Sequence, residues 1–272
     1  MRQRFVCTNC GFWQTDFAAP TSCPVCLDFR HTPPDDGWRF LDFDAAQAEA
    51  TTTWRFDNGV WIFETQPKWG IGPSGYFLPR ASGNIFFESC PFYSDAALDF
   101  LASQGGIQWL SASHPHAYGG FWQLQERFAP TVAIQVQDLR WTNAFNTAYP
   151  FDDELDLGDG ARLVHTGGHF DGHSVLYLER EKMLFAGDML KFHSSQTGVF
   201  EGISTHKAFN RRVPMSHGEI RRYREVVDAL PFERIYTTFE RGPDGYRELA
   251  LAMLDAQLAG APFFGPFLPQ AP

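Results

Sequence analysis

Four cysteines arranged as two CxxC pairs, in FVCTNC and TSCPVC, constrain the start of this chain more tightly than any hydrophobic pattern does. Each CxxC is a tight turn that points two thiolates to one side, with backbone N–H groups able to reach the sulfurs. Two such turns facing each other make a tetrahedral cage of four sulfurs, which suits zinc or a single iron. The ligands would be Cys7, Cys10, Cys23 and Cys26, with twelve residues between the pairs. A module this short buries little apolar area, so a bound metal supplies its folding free energy. Two disulfides are the competing arrangement, and a reducing compartment disfavours them.

After the second pair comes HTPPDDGW, residues 31–38, an extended and turning connector. The expected boundary lies near residue 45, giving a four-cysteine metal-knuckle domain at 1–45 and a larger domain at 46–272. A hydrophobic fraction of 44 % and an aromatic fraction of 16 % are enough for a sizeable core. The formal net charge of -10 argues against nucleic acid or an anionic membrane as a partner, since both reward basic patches. Arg211–Arg212 and Arg221, Arg222 and Arg224 read as solvated surface. MRQRFVCTNC lacks the apolar stretch of a signal peptide, and no run approaches the ~20 apolar residues that span a bilayer. A soluble, cytoplasmic protein acting on a small molecule is the expectation. Oligomeric state leaves no mark in the sequence. The fifth cysteine, Cys90, reads as a small buried hydrophobe.

From Thr53 onward short apolar strands alternate with helical stretches. WRFDNGVWIFET is a hairpin turning at Asp57-Asn58-Gly59, and GYFLPRASGNIFFES, IQWLSAS and TVAIQVQ are further strands. SDAALDFLASQGG is a capped helix ending at glycines, and FWQLQERFA a second, short one. ARLVHT, SVLYLE and KMLFAGD are three strands in close succession. SHGEIRRYREVVDAL is a helix opened by a capping box of Ser216 and Glu219. ERIYTTFE is the last strand and GYRELALAMLDAQLA the last helix. This order predicts an α/β domain with mixed sheets.

Candidate ligands sit at the ends of these strands, where loops on a rigid sheet carry chemistry. His114 and His116 end IQWLSAS as SASHPHAYGG. His169 lies in the glycine-rich turn HTGGHFDGHS, and Asp188 ends KMLFAGD. An HxH puts two rings on one side of an extended segment, Gly167 and Gly168 let backbone approach an ion, and a carboxylate completes the shell. A lone histidine is more often hydrogen-bonded structure than ligand; three with a carboxylate in this context reverse that.

On these motifs the chain resembles the metallo-β-lactamase superfamily over roughly residues 50–260. The HxH, the TGGHxxGHS turn and the LFAGD strand end carry the resemblance, and the last two are also similar to the glyoxalase II-like and persulfide dioxygenase branches. It implies an αβ/βα four-layer sandwich with a metal cleft at one edge. His114, His116 and His169 would then hold one metal, and Asp188 would bridge to, or serve, a second. The family's first motif is HxHxDH, and here Tyr118 and Gly119 occupy its last two positions. The family's last histidine falls at Phe239. The resemblance therefore implies a site for one metal, zinc or iron. The four-cysteine segment resembles both a rubredoxin-like domain of rubrerythrins and a zinc ribbon, through the aromatic before its first Cys, Gly11 and the CP of its second pair. That implies structural zinc or an electron-carrying iron.

Spare side chains near this set are Tyr118, able to reach the metal or donate to an oxyanion, and His173, Asp171 and His193. Asp188, Tyr118 and His193 are the candidates for catalysis. His165, His206 and His217 read as structural. Three functions remain open. One is a mononuclear hydrolase of esters or thioesters, with Asp188 as ligand or base. Another is a mononuclear Fe(II) oxidoreductase like the persulfide dioxygenases, using His114, His169 and Asp188. The third is a non-catalytic binding protein on a partly degraded scaffold.

Overall fold

The computed structural model describes residues 1–268. Their packing divides the chain into two compact units, Met1–Asp152 and Asp153 onward. The four-cysteine segment lies inside the first of these.

The first unit opens with a small antiparallel sheet of β1 (Gln3–Cys7), β2 (Trp13–Asp16) and β3 (Phe40–Asp42), in the order β2-β1-β3. A helical turn, α1 (Pro24–Leu27), carries the second cysteine pair, and α2 (Phe43–Glu49) follows. The knuckles are fastened to the rest of the unit by close backbone approach. Gly11, at φ +80, has no room for a side chain, because a Cβ there would meet Pro91 at 2.6 Å. Trp13 Nε1–H donates to the Pro91 carbonyl at 2.6 Å.

A seven-stranded sheet follows, built from β4 (Thr51–Asp57), β5 (Val60–Gln66), β6 (Gly75–Leu78), β7 (Ile85–Phe87), β8 (Trp109–Ser111), β9 (Thr131–Gln135) and β10 (Tyr149–Phe151). Its order is β10-β9-β8-β7-β6-β5-β4. The Asn58-Gly59 turn places two successive residues in the left-handed region, at φ 49 and 92, and closes the expected hairpin with Asp57 opposite Val60. From β4 to β7 the pairing is antiparallel. It then becomes parallel, because α3 (Asp95–Ser103) and α4 (Phe121–Phe128) are crossovers that return the chain to the same edge. That switch positions chemistry: Phe87 pairs with Ser111, so the residues just after β7 and β8 emerge side by side.

The second unit holds a five-stranded sheet in the order β11-β12-β13-β14-β17. Its strands are β11 (Glu154–Gly158), β12 (Ala161–His165), β13 (Ser174–Leu178), β14 (Met183–Phe185) and β17 (Arg234–Tyr236). Between β14 and β17 come a hairpin of β15 (Lys191–Ser194) and β16 (Phe200–Ser204) and the helix α5 (His217–Ala229). β14 and β17 pair in parallel, with Phe185 opposite Tyr236, so Asp188 and the Thr237–Thr238 segment leave the sheet together. α5 and α6 (Arg247–Leu258) cover one face, and Ile220, Tyr223 and Val227 join Met253 and Leu254 against Val175, Tyr177 and Leu184. No helix among the described residues is long and apolar enough to cross a membrane.

The sheets are mixed, as expected from the order of elements. β10, β11 and the β15–β16 hairpin carry no clear signal in the sequence; β10, for instance, is three residues, YPF, with Pro at its centre. The capping box is present in full: Ser216 Oγ accepts from Glu219 N–H, and the Glu219 carboxylate accepts from Ser216 N–H. Replacing Ser216 by Ala exposes an orphan donor at the start of α5. The expected result is a loss of about 1 kcal/mol, read from a shifted denaturant midpoint at constant slope.

Candidate metal-binding residues in the two units

In the first unit the four knuckle cysteines are buried and unpaired by disulfide. Cys7 Sγ and Cys26 Sγ are 3.7 Å apart, and Cys10 Sγ and Cys23 Sγ 3.6 Å. A tetrahedron with Zn–S bonds of about 2.3 Å has edges of about 3.8 Å, so these sulfurs already stand where one ion would hold them. Backbone N–H groups of Cys10 and Gly11 converge on the Cys7 carbonyl, and Asn9 Nδ2 donates to Cys26 Sγ at 3.3 Å. Hydrogen bonds from Cys10 hold the Cys7 and Cys26 thiols below the ordinary range, while burial drives Cys10 above it. The donor set fits zinc and iron alike.

His114 and His116 flank Pro115 in a short 3-10 turn just after β8. Both are buried, and their rings meet edge to face with centroids 5.1 Å apart. The order of the strands supplies a backing group that spacing alone does not reveal. Ser113 Oγ–H donates to Glu88 Oε1 at 2.5 Å, and Ser113 N–H reaches Glu88 Oε2 at 3.3 Å. With its one proton committed, that hydroxyl accepts from His114 Nδ1–H at 2.7 Å. The proton of neutral His114 thus resides on Nδ1, and Nε2 carries the lone pair, the state a ligand needs. Glu88 is buried and held at φ 61, a conformation costing about 1 kcal/mol or more for a residue with a side chain. Its neighbour in the parallel register explains why it is kept there.

The two altered motif positions have physical reasons. Gly119 sits at φ +27, and a Cβ there would lie 2.4 Å from the Cys90 carbonyl oxygen and 2.6 Å from that of Ser89. No side chain fits, so no ligand can stand at this position. Tyr118 is buried against Phe121 and Phe145, at centroid distances of 5.7 and 5.3 Å. Burial, with the charges of Asp138 and Glu88, keeps its phenol protonated well above the ordinary range.

In the second unit, Gly168 of the glycine-rich turn lies at φ +81. A Cβ there would meet Tyr223 Oη at 2.6 Å, so its role is to admit that side chain. Tyr223 Oη accepts from His169 N–H at 3.0 Å and fixes the ligand's backbone. His169 Nε2 lies 3.5 Å from Asp188 Oδ2. Two ligands bound at about 2.1 Å around a tetrahedral ion stand about 3.4 Å apart, so this pair fits a shared cation better than a direct hydrogen bond. Burial raises the Asp188 carboxyl, partly offset by His206, Thr238 and Lys191. His173 is buried with its Nδ1 on Thr166 Oγ1 at 2.6 Å, and burial with the nearby His169 and His165 drives it well below the ordinary range. His193 Nε2 meets Ser204 Oγ at 2.7 Å across the β15–β16 hairpin.

One histidine read from sequence as structural lines a cavity beside the candidate ligands His169 and Asp188. His206 is buried, its ring is 5.6 Å from that of His169, and it lines a cavity of about 200 Å³ with Asp188, Lys191, Thr237, Phe239 and Glu240. Its Nδ1 has no hydrogen-bond partner among the described residues. Burial, reinforced by His169, pushes it down to about 3, so it is neutral at ordinary pH. It lies in the irregular stretch after β16, and no motif marks it. A larger cavity of about 930 Å³ in the first unit is lined by residues such as Arg2, Arg4, Asp42, Trp122 and Glu126 and by no histidine or cysteine.

The family model of the metallo-beta-lactamase superfamily matches residues 97–256, more than half of the chain. The YmaE protein of Bacillus subtilis (strain 168) is 24 % identical over 247 residues, covering 87 % of this chain and 89 % of that protein. The hydroxyacylglutathione hydrolase of Shewanella pealeana is 29 % identical over 154 residues, covering 54 % of this chain and 53 % of the relative, so the match spans about half of it. Among solved structures, the metallo-β-lactamase FIM-1 from Pseudomonas aeruginosa in its mono-zinc form superposes with a TM-score of 0.55 at 15 % identity, over 78 % of this chain and 99 % of that one. That likeness shows the fold.

Two outcomes follow. Gly119→Ala, and Gly119→His more so, should destabilise the protein by roughly 2 kcal/mol or more, since the clash is with backbone. Gly119→His should add no second equivalent of metal by elemental analysis. For the metal-free protein, neutral His206 and His173 must charge on unfolding, so the stability they confer is complete above about pH 6.5 and falls as pH drops toward their folded values. The slope should approach about 1.4 kcal/mol per pH unit for each histidine, and His206→Gln should flatten it in denaturant titrations at a series of pH values.

Proposed function

The chain belongs to the metallo-β-lactamase superfamily, and on that premise we propose that it is a metal-dependent hydrolase of small esters or thioesters working with one ion, for which His114, His116, His169 and Asp188 are the candidate ligands. The observation that carries the proposal is the hydrogen-bonded line from Glu88 through Ser113 to His114. A buried carboxylate and a strained backbone spent on the tautomer of one imidazole make sense for a ligand and for little else. Further support comes from the hydrolase relative, whose name denotes cleavage of an acyl thioester, and from a fold neighbour described in a mono-zinc form.

When bound, the ion supplies Lewis-acid polarisation of a carbonyl and a lowered pKa for water. The side chains do the rest. Glu88 and Ser113 keep the His114 proton on Nδ1. Tyr223 holds the His169 backbone in place. His206, neutral and lining the cavity with Asp188, offers an uncharged imidazole for hydrogen bonding there. Tyr118 keeps its proton, so its part is limited to packing or to donating a hydrogen bond. The five free cysteines suit a reducing compartment, and we place the protein in the cytoplasm.

A mononuclear iron oxidoreductase is the second reading. The observation favouring it is a cage of four cysteines, fit for iron as well as zinc, inside the same compact unit as His114 and His116.

Elemental analysis of the wild type, His114→Ala and Cys7→Ser separates these readings. Two zinc ions per chain, one lost in each variant, together with turnover of acyl thioesters, is the expected result. Ser113→Ala should weaken metal binding at the histidines by roughly 10- to 100-fold. Iron at the histidines would replace the hydrolase reading by the oxidoreductase one, and no metal lost from His114→Ala would sink both.

A further inference from the structure

The sequence presents the four-cysteine module and the HxH as separate devices, but within the first unit they touch. His31, five residues past Cys26, is buried, and its ring meets His116 edge to face with centroids 5.2 Å apart at 77°. His116 thereby meets two rings at near right angles, those of His31 and of His114. We propose that His31 is a positioning residue through which the loaded four-cysteine cage holds His116 in its ligand orientation, an inference that rests on the one-ion reading above.

The segment carrying His31 is tied to the cage at several points. Asn9, inside the first knuckle, donates from Nδ2 both to Cys26 Sγ at 3.3 Å and to the Thr32 carbonyl at 3.2 Å. One amide therefore clamps a sulfur of the second knuckle to the residue after His31. Thr32 N–H donates to His31 Nδ1 at 2.8 Å and fixes the ring against its own backbone. His31 N–H donates to the Asp28 carbonyl, and the Asp28 carboxylate takes two contacts of 3.0 Å from Arg30 Nη1 and one of 2.9 Å from its N–H. Nothing in a zinc ribbon as such requires this arrangement beyond its second cysteine pair. It sets an aromatic ring against the candidate ligand His116 and makes the placement depend on both knuckles, since Asn9 belongs to one and Cys26 to the other. A ligand ring held by neighbours loses less freedom on binding, which tightens the site. Because such coupling is reciprocal, metal at the histidines also steadies the cage.

The test uses full-length protein loaded with cobalt(II), which absorbs differently at four sulfurs and at imidazoles, so one titration reads both sites. His31→Ala should leave the sulfur spectrum intact, weaken cobalt binding at the imidazoles by about tenfold or more, and alter the imidazole band. Asn9→Ala should weaken it in the same direction. His31→Phe, which restores a ring, should recover most of the affinity. If His31→Ala does not fold, His31→Leu, which fills the volume without a ring, takes its place. Wild-type imidazole affinity and band shape in the His31 variant with a loaded sulfur cage would overturn the coupling alone. A wild-type protein taking no cobalt at imidazoles would overturn the one-ion reading and the coupling with it.

Discussion

A carboxylate removed from water costs several kcal/mol unless its oxygens are filled by donors. Glu88 fills both of its own from Ser113, one through the hydroxyl and one through the backbone N–H. That single pairing requires a left-handed residue after β7 and a parallel neighbour in β8, and it leaves the serine hydroxyl to accept from His114. The crossover through α3, the switch from antiparallel to parallel pairing and the tautomer of a candidate ligand therefore belong to one arrangement. If Glu88 were displaced, Ser113 would be free to donate to His114, and the lone pair would move to the wrong nitrogen.

The reduced metal motif has an equally local cause. At Gly119 the backbone runs against the carbonyl oxygens of Ser89 and Cys90, and Gly120 N–H donates to the Cys90 carbonyl. This tight approach closes the turn after the HxH onto the segment after β7. It leaves no volume for a ligand at that position, while Tyr118 packs with Phe121 and Phe145. The absence of a metal-ligand side chain at these two positions is thus built into the packing of the unit. In the second unit Phe239, where the resemblance puts the family's last histidine, lines a cavity with His206 from a different part of the chain.

Much of the fold was legible because its signals are local. The Asn58-Gly59 turn and the Ser216–Glu219 capping box each act within a few residues. The strands that went unread are short or carry Pro, and they are strands only because a neighbour supplies hydrogen bonds: β10 exists because β9 lies beside it. Gly168 was read as letting the backbone approach an ion; what it admits is the side chain of Tyr223, which is distant in the chain and arrives on α5.

The sequence by itself determined which donor atoms this protein has to offer and in what order. Four thiols in two knuckles, an HxH, a histidine in a glycine-rich turn and an aspartate at a strand end are spacings that chain geometry turns into ligand groups. Only the tertiary structure decided what stands behind those donors. Glu88 on Ser113, Tyr223 on His169, His31 on His116 and His206 in the cavity with Asp188 are meetings between segments remote in sequence. They are created by strand register and crossovers, and a hydrogen bond or ring contact of that range leaves no periodicity or motif along the chain to announce it.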